Sequence, residues 1–351
     1  MVLKIARHLP LVAALLLVSG CGVTYLMQAA RGQLAVMRAR EPIGKVIAAP
    51  ATADSLKAQL VRAERIRDFA SHELGLPDNA AYRSYADIGR QYVVWNVIAA
   101  PEFSVQPRQW CFPVAGCVAY RGYFKESAAR AFAAKLRKQG DDVLVGGVPA
   151  YSTLGHIADP LLNTVAGYSE LDLAALEFHE LAHQEAYLPG DSSYNEAFAT
   201  AVEEVGVARY AARYASPEVL ASWQQGRALR EQVVALFATA REDLAALYRR
   251  RLAPEAMRAA KEQRLAQLAA DVHALEQRVG RRSGFDDWID AGLNNAHLAA
   301  VATYYDQIPH FEHLLDKTCG GYLPCLYVAV HKEMDARIAA GHAAGKRKAP
   351  S

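Results

Sequence analysis

The chain has 351 residues, 52% of them hydrophobic, which is enough to bury a large core. Its 39 basic and 37 acidic residues almost cancel, and loss of residues 1–20 would remove Lys4 and Arg7 and no acid, leaving 37 of each. This neutral balance gives no indication of a nucleic-acid partner, and we expect none.

The N-terminus carries an export signal. Two basic residues precede an apolar run from Leu9 to Val18, which is too short to span a membrane. The run ends in Leu17-Val-Ser-Gly-Cys21, which resembles a bacterial lipobox and implies a lipoprotein signal peptide over residues 1–20 and lipidation of Cys21. An ordinary signal peptide, or an uncleaved anchor with an incidental cysteine, is the alternative. The resemblance implies a periplasm-facing protein of the bacterial envelope, held to the membrane through Cys21. Gly22, where an Asp would retain the protein at the inner membrane, favours the outer membrane.

Helices and short strands follow. Apolar residues at helical spacing predict helices over residues 23–40, 52–74 and 127–139. Runs typical of β-strands mark residues 85–124, most clearly Gln91–Ile98, and residues 142–154 are typical of two short strands. Pro149 favours the edge of a sheet. The segment Val148–Leu154 is therefore either an edge strand that binds an extended peptide or an ordinary edge strand.

Four further cysteines form two close pairs. An oxidising compartment favours disulfides, and local pairing of Cys111 with Cys117 and of Cys319 with Cys325 is our first choice among three connectivities. A four-thiolate zinc site is the alternative, which the six-residue spacing and the export signal disfavour.

The central motif is His179-Glu180-Leu-Ala-His183, an H-E-x-x-H sequence. A capping box at Ser169 predicts a helix over about residues 170–187. Positions i and i+4 share one face of a helix, so both imidazoles reach one metal ion. Glu180 is then the general base that accepts a proton from the attacking water. A solvated helix with two accidental histidines is the alternative.

A carboxylate for the same ion is expected on the next helix, which starts at a cap among residues 191–193 and runs to about residue 214. The short link makes the two helices antiparallel, and the helical rise puts Glu196 roughly level with His183. Glu196 is therefore the expected third ligand. There are alternatives: Ser193-x-x-Glu196 is itself a capping box, and Glu203 and Glu204 are rival ligands, Glu203 being otherwise a hydrogen-bond partner of a ligand. Two imidazoles, one carboxylate and an open position are typical of catalytic zinc, so we expect one Zn²⁺.

The rest of the chain is helical. Residues 217–282 predict an antiparallel helical hairpin broken at Ala253-Pro254, residues 283–340 a helical C-terminal part, and residues 346–351 a disordered tail. We therefore expect an α+β protein that is mainly α-helical, with a single catalytic unit over residues 21–345. Its small sheet lies at about 85–155 and its zinc-binding helices at about 170–214.

The sequence resembles known peptidases. Asn195-Glu-Ala-Phe-Ala199 beside the H-E-x-x-H motif resembles the gluzincin metallopeptidases, although the 12 residues between His183 and Glu196 are fewer than in the best-known members. A closer resemblance is to a family of predicted bacterial lipoprotein aminopeptidases, through Arg31–Ile43, Phe112–Phe124, Val148–Gly155 and the two zinc motifs. It implies a gluzincin-like core with a long helical hairpin and a zinc-dependent aminopeptidase that hydrolyses peptides.

The resemblance also implies a donor for the oxyanion, since gluzincins often use a Tyr or His there. Tyr304 is preferred over Tyr305, and His297, His310 and His313 are less favoured. The segment Tyr120–Tyr123 is expected near the cleft. Its Arg121 is either a clamp for a substrate carboxylate or, as we favour, part of a structural salt bridge. Other functions stay open: an endopeptidase that trims envelope proteins, or a non-catalytic lipoprotein that keeps the fold for binding.

Overall fold

A computed structural model describes the backbone of residues 20–112, 116–305 and 307–348, and the side chains within 24–112, 116–302 and 307–340. The predicted signal peptide lies outside the described residues apart from Gly20, as does the side chain of Cys21. Within the described part of the chain, no helix combines the length and the apolar character that crossing a membrane requires.

Helices make up most of the described chain, which confirms the prediction of a mainly α-helical α+β protein. They are α1 (Gly20–Ala39), α2 (Ile43–Ala48), α3 (Asp54–His72), α4 (Glu126–Lys138), α5 (Glu170–Glu185), α6 (Ser192–Tyr214), α7 (Pro217–Tyr248), α8 (Pro254–Val279), α9 (Asp286–Asp290), α10 (Asn295–Tyr305), α11 (Ile308–His313) and α12 (Leu323–Lys348), with a π-helical turn at Leu314–Thr318. The last helix continues to Lys348, into the segment expected to be a disordered tail.

Three small sheets accompany the helices. The strands are β1 (Arg40–Pro42), β2 (Ser84–Ala86), β3 (Val94–Pro101), β4 (Trp110–Phe112), β5 (Gly116–Val118), β6 (Arg121–Tyr123), β7 (Asp141–Val148) and β8 (Leu161–Leu162). Their orders are β1-β2-β8, β6-β3-β7 and β4-β5. The prediction of two strands within residues 142–154 is wrong: β7 is one continuous strand because it pairs along its whole length with β3, from Val94↔Val148 to Pro101↔Asp141.

The central sheet β6-β3-β7 is covered on both faces. Alternation along β3 turns Val97 and Ala99 toward α4, in a cluster with Ala129 and Ala133. The opposite face, including Leu144 of β7, packs against Ala296 and Ala300 of α10. Because β7 pairs with a neighbour on one side, it is an edge strand, and the chain leaves it at Val148 beside α5.

The largest core lies around α5 and α6. It combines residues of α2, α3, α5, α6, α11 and α12, among them the fully buried Phe178 and Phe198. Gly206 of α6 lets the two central helices approach closely, since a Cβ there would lie 2.6 Å from Cδ2 of Phe178. A second core joins α7 and α8 as the predicted hairpin, with Ala253 as the N-cap of α8.

Candidate metal centre

The first motif lies on α5, whose start is fixed by its sequence. The Ser169 side chain accepts a hydrogen bond from the Asp172 backbone N–H, and its hydroxyl donates back to the Asp172 carboxylate at 2.6 Å. Phe178, Leu181 and Ala182 are fully buried on the core side of the helix. This packing turns the opposite face, with its two histidines, toward a cavity.

The second motif lies on α6, and Asn195 holds it in place. The Asn195 side chain accepts from the Leu188 N–H at 2.7 Å and donates to the Leu188 carbonyl at 2.9 Å. It therefore ties the start of α6 to the loop that follows α5. The cap is Asp191, which accepts from the Tyr194 N–H, while the Ser193 hydroxyl is buried without a hydrogen-bond partner among the described residues. The Ser193–Glu196 capping box is thus not formed.

The carboxylate of Glu196 instead faces the two histidines. Its Oε2 lies 3.2 Å from Nε2 of His179 and 3.6 Å from Nε2 of His183. One ligand atom from each of the three residues lies within 4.8 Å of the others. Tetrahedral ligands at zinc–ligand distances of about 2.0–2.1 Å lie about 3.3 Å apart, so this spacing and this donor set fit zinc.

Glu203 lies on the far side of His179. Its Oε2 is 3.1 Å from Nδ1 of His179, and its Oε1 accepts from Arg227 at 3.1 Å. Arg227 also pairs with Glu204. Glu203 is therefore placed to orient the imidazole through the nitrogen that points away from the three-residue group, as carboxylates do behind histidine ligands of metals.

Burial and proximity perturb the titration of this group. Burial disfavours the imidazolium form of His179, but hydrogen bonds with Glu196 and Glu203 outweigh it and raise its pKa well above the ordinary value. Burial likewise opposes ionisation of Glu196, yet His183 and His179 hold its pKa well below the usual range. A metal ion would have to displace the proton that these residues share.

Glu180 lines the cavity beside the two histidines. Burial raises its pKa above the ordinary value, in spite of the opposing effect of His183 and His179. A carboxylate with a raised pKa is better suited to accepting a proton near neutral pH than an ordinary surface glutamate.

The cavity extends on both sides of the histidines. A first space of about 340 Å³ is lined by Tyr25 of α1, by the β4–β5 hairpin and by residues 150–154 after β7. A second space of about 560 Å³ lies between the end of β7 and α7. Val148, Ala150, His179 and Glu180 line both. These residues therefore lie in the middle of a cleft.

The hairpin wall of the first space contains one of the two disulfides. Cys111–Cys117 and Cys319–Cys325 are both joined, which confirms the predicted local pairing. At the tip of the hairpin, Gly116 has a φ of +73°, and a Cβ there would lie 2.5 Å from the Gly190 backbone nitrogen. Only glycine permits this approach, which seats the hairpin on the turn between α5 and α6.

Two phenols face the histidines from this space. Tyr120 and Tyr187 line it together with Glu196. Burial raises the pKa of both, with a further contribution from Glu196, so both are neutral hydrogen-bond donors at physiological pH. Tyr120 belongs to the segment that was expected near the cleft, but no role was predicted for it. None was predicted for Tyr187 either, which follows the end of α5.

Other candidates lie elsewhere. The side chains of Tyr304 and Tyr305 are outside the described residues, so the preferred oxyanion donor stays a prediction. His297 is buried, packs edge-to-face against Trp288 and accepts from the Asn294 N–H. His310 pairs with Glu333, away from the metal group.

Arg121 pairs with no carboxylate of the described residues, so the structural salt bridge that we favoured is not formed. Its guanidinium stacks on the rings of Tyr25 and Phe132, at 4.1 Å and 4.8 Å. The aromatic cluster beside α4 therefore engages this side chain, and it lines neither part of the cleft.

Comparison with known proteins gives one match. A family model with the description "putative aminopeptidase" matches residues 24–343 of the chain. No curated protein matches it, and no solved structure does.

Proposed function

The chain belongs to the putative aminopeptidase family, and from this premise we propose that it is a zinc-dependent peptidase with a gluzincin-like core, acting as an aminopeptidase on the periplasmic side of a bacterial membrane. The observation that carries the proposal is the convergence of His179, His183 and Glu196 on one point beside Glu180. Three protein ligands with an adjacent carboxylate in an open cleft are the composition of a catalytic rather than a structural zinc site.

His179, His183 and Glu196 would hold the ion. When bound, zinc supplies a Lewis acid that polarises the scissile carbonyl and makes water a better nucleophile at neutral pH. Glu203 orients His179, because its carboxylate accepts the hydrogen bond from Nδ1 and Nε2 is then the nitrogen presented to the ion.

Glu180 carries out the proton transfer. Its carboxylate accepts a proton from the attacking water and passes it to the leaving amine. The developing oxyanion needs a neutral donor. Tyr304 remains the predicted donor, and Tyr120 and Tyr187 are two of the four described phenols that line the same space, with Tyr25 and Tyr151.

One observation favours an endopeptidase as the second candidate. An aminopeptidase binds the free α-amine of its substrate, usually with a carboxylate that is not a ligand. Among the described residues lining the first space, the carboxylates are those of Glu180 and Glu196, which already have roles in the proposed reaction. The cleft also continues past the metal group on both sides, as it does where a chain is cut internally.

The proposed anchor is lipidated Cys21. Helix α1 begins at Gly20, and Tyr25, one turn after Cys21, lines the first space. An anchor at Cys21 would therefore hold this end of the cleft next to the membrane surface. Incorporation of a labelled fatty acid into the wild type but not into Cys21→Ser tests the anchor.

The function is tested with the soluble form that starts at Gly22. We expect about one zinc per chain by mass spectrometry and hydrolysis of unblocked peptides. Glu180→Gln should keep the zinc and lose the hydrolysis, whereas Glu185→Gln, on the same helix but paired with His331, should keep both. Full zinc without cleavage of any peptide would refute the peptidase, and cleavage of N-terminally blocked peptides would favour the endopeptidase.

Zinc binding separately tests the ligands. Glu196→Gln should lose most of the zinc. Glu203→Gln should weaken zinc affinity about 10- to 100-fold, as for other carboxylates behind a ligand. Loss of zinc in Glu203→Gln with retention in Glu196→Gln would reverse the two roles.

A further inference from the structure

One face of α7 forms a wall of the second space of the cleft. Trp223, Arg227 and Arg230 are spaced i, i+4, i+7 and all line this space. The other face of the same helix carries Leu229 and Val233, which are buried against α8. The helical hairpin therefore supplies two guanidinium groups to the cleft.

Arg227 is held by the metal centre. Its guanidinium pairs with Glu203 at 3.1 Å and with Glu204, and it lies over the Trp223 ring at 5.6 Å. Two carboxylates balance its single charge. Arg227 therefore stabilises the support of His179 and carries no surplus charge for a ligand.

Arg230 differs in this respect. Its guanidinium lies over the Phe285 ring at 5.7 Å, and no carboxylate of the described residues is within ion-pair distance of it. Glu204, Glu231 and Glu312 share a smaller neighbouring cavity with Arg230 without pairing with it. Asp172, which lines the second space of the cleft together with Arg230, is hydrogen-bonded to Ser169 at the start of α5. Arg230 is thus an unneutralised cation in the part of the cleft that also contains Glu180.

We propose that Arg230 forms a carboxylate-binding subsite for the part of the substrate that follows the scissile bond. This proposal rests on the proposed peptidase function. The carboxylate is either the C-terminus of a short peptide or an Asp or Glu side chain, since guanidinium recognises both in the same way.

The chain direction along the cleft supports this orientation. Residues 148–150 line the second space, and the chain then continues to Tyr151, Ser152 and Leu154, which line the first space alone. An extended peptide bound antiparallel to this segment, the commoner pairing, has its N-terminal half in the first space and its C-terminal half beside Arg230. A free carboxylate then lies at the Arg230 end.

The test compares di-, tri- and tetra-alanine with their C-terminal amides on the zinc-loaded protein. We expect the wild type to prefer the free acid at one of these lengths by about tenfold or more in kcat/KM, as for a charged hydrogen bond. Arg230→Gln should lose this preference while its rate on the amides stays the same. The control Arg250→Gln, an exposed arginine just beyond the other end of α7, should keep the preference. Amidated peptides that carry either Asp or Asn after the scissile bond test whether Arg230 binds a side-chain carboxylate.

Calorimetric binding of the same peptides to zinc-loaded Glu180→Gln separates this proposal from the proposed function. Tighter binding of acids than of amides, lost in Glu180→Gln/Arg230→Gln, supports the subsite even if the wild type hydrolyses nothing. Hydrolysis by the wild type with equal rates and equal affinities for acids and amides, and for the Asp and Asn peptides, overturns the subsite and leaves the peptidase intact. Absence of both binding and hydrolysis overturns both.

Discussion

Replacement of Gly206 by Ala sets two effects of opposite sign against each other. Gly206 lies inside α6 and is buried. In a helix interior, Ala is more favourable than Gly by about 1 kcal/mol. The new methyl group, however, would lie 2.6 Å from Cδ2 of Phe178 and 2.8 Å from Cδ1 of Leu74, where carbon atoms normally keep about 3.5–4.0 Å.

We expect the steric overlap to cost more free energy than the helix propensity of Ala contributes. Phe178 is fully buried and packs against the rings of Phe69 and Tyr210, with centroids 6.0 Å and 6.2 Å away, so it has no room to withdraw. Overpacking of such a core costs about 1–3 kcal/mol. After subtraction of the helix-propensity gain, we expect Gly206→Ala to lower the free energy of unfolding by up to about 2 kcal/mol. Because α5 must move away from α6, zinc affinity should fall as well.

Gly226→Ala provides the matched control. Gly226 also lies inside a helix, but its Cβ would meet only the end of the exposed Arg281 side chain, at 2.9 Å. That side chain can shift toward solvent, where water replaces its exposed hydrogen bonds with Ser222. This variant should be as stable as the wild type or more stable, by up to about 1 kcal/mol. Urea unfolding monitored by circular dichroism gives the free energy of unfolding of both variants. The difference between runs with and without zinc reports the zinc affinity. A Gly206→Ala protein at least as stable as Gly226→Ala would refute the close-packing argument.

Two further predictions concern residues outside the metal group. Asn195→Ala should lower the free energy of unfolding by about 1–3 kcal/mol, because it leaves the buried backbone groups of Leu188 unpaired; an unchanged urea midpoint would contradict this. Burial lowers the pKa of His297 to about 4, so the folded chain resists protonation that the unfolded chain accepts below about 6.5. Stability should therefore fall by about 3 kcal/mol as the pH drops from about 6.5 to about 4. His297→Gln should remove this dependence and the exposed His156→Gln should keep it, and equal pH profiles of these two variants would exclude His297 as the source.

The metal group could be inferred from the sequence because its parts are close along the chain. The two histidines share one helical turn, Ser169 marks where the helix begins, and one tight loop brings Glu196 level with His183. Each step uses local geometry, which residue spacing determines. The choice between Glu196 and Glu203 needed the structure, because both lie on nearly the same face of α6 and only packing decides which one meets both imidazoles.

Much of the lining of the cleft could not be inferred in this way. Tyr25 and Arg230 come from segments separated by about 200 residues, and only tertiary packing brings them to one cleft. The error at β7 has the same origin. Gly146, Gly147 and Pro149 are typical of a break between two strands, but the β3 ladder stabilises the strand through both glycines and ends it at Val148.

The hydrogen-bond chain from His179 through Glu203 to Arg227 connects the metal group with α7. Arg227 and Arg230 lie one turn apart on that helix, yet their charges act on different partners. A change at Arg227 alters the carboxylate that orients His179, so it must affect every substrate through the metal site. A change at Arg230 leaves those hydrogen bonds in place and acts only on a substrate that presents a carboxylate. Peptides with and without a free C-terminus therefore distinguish the two arginines, although both line the same space.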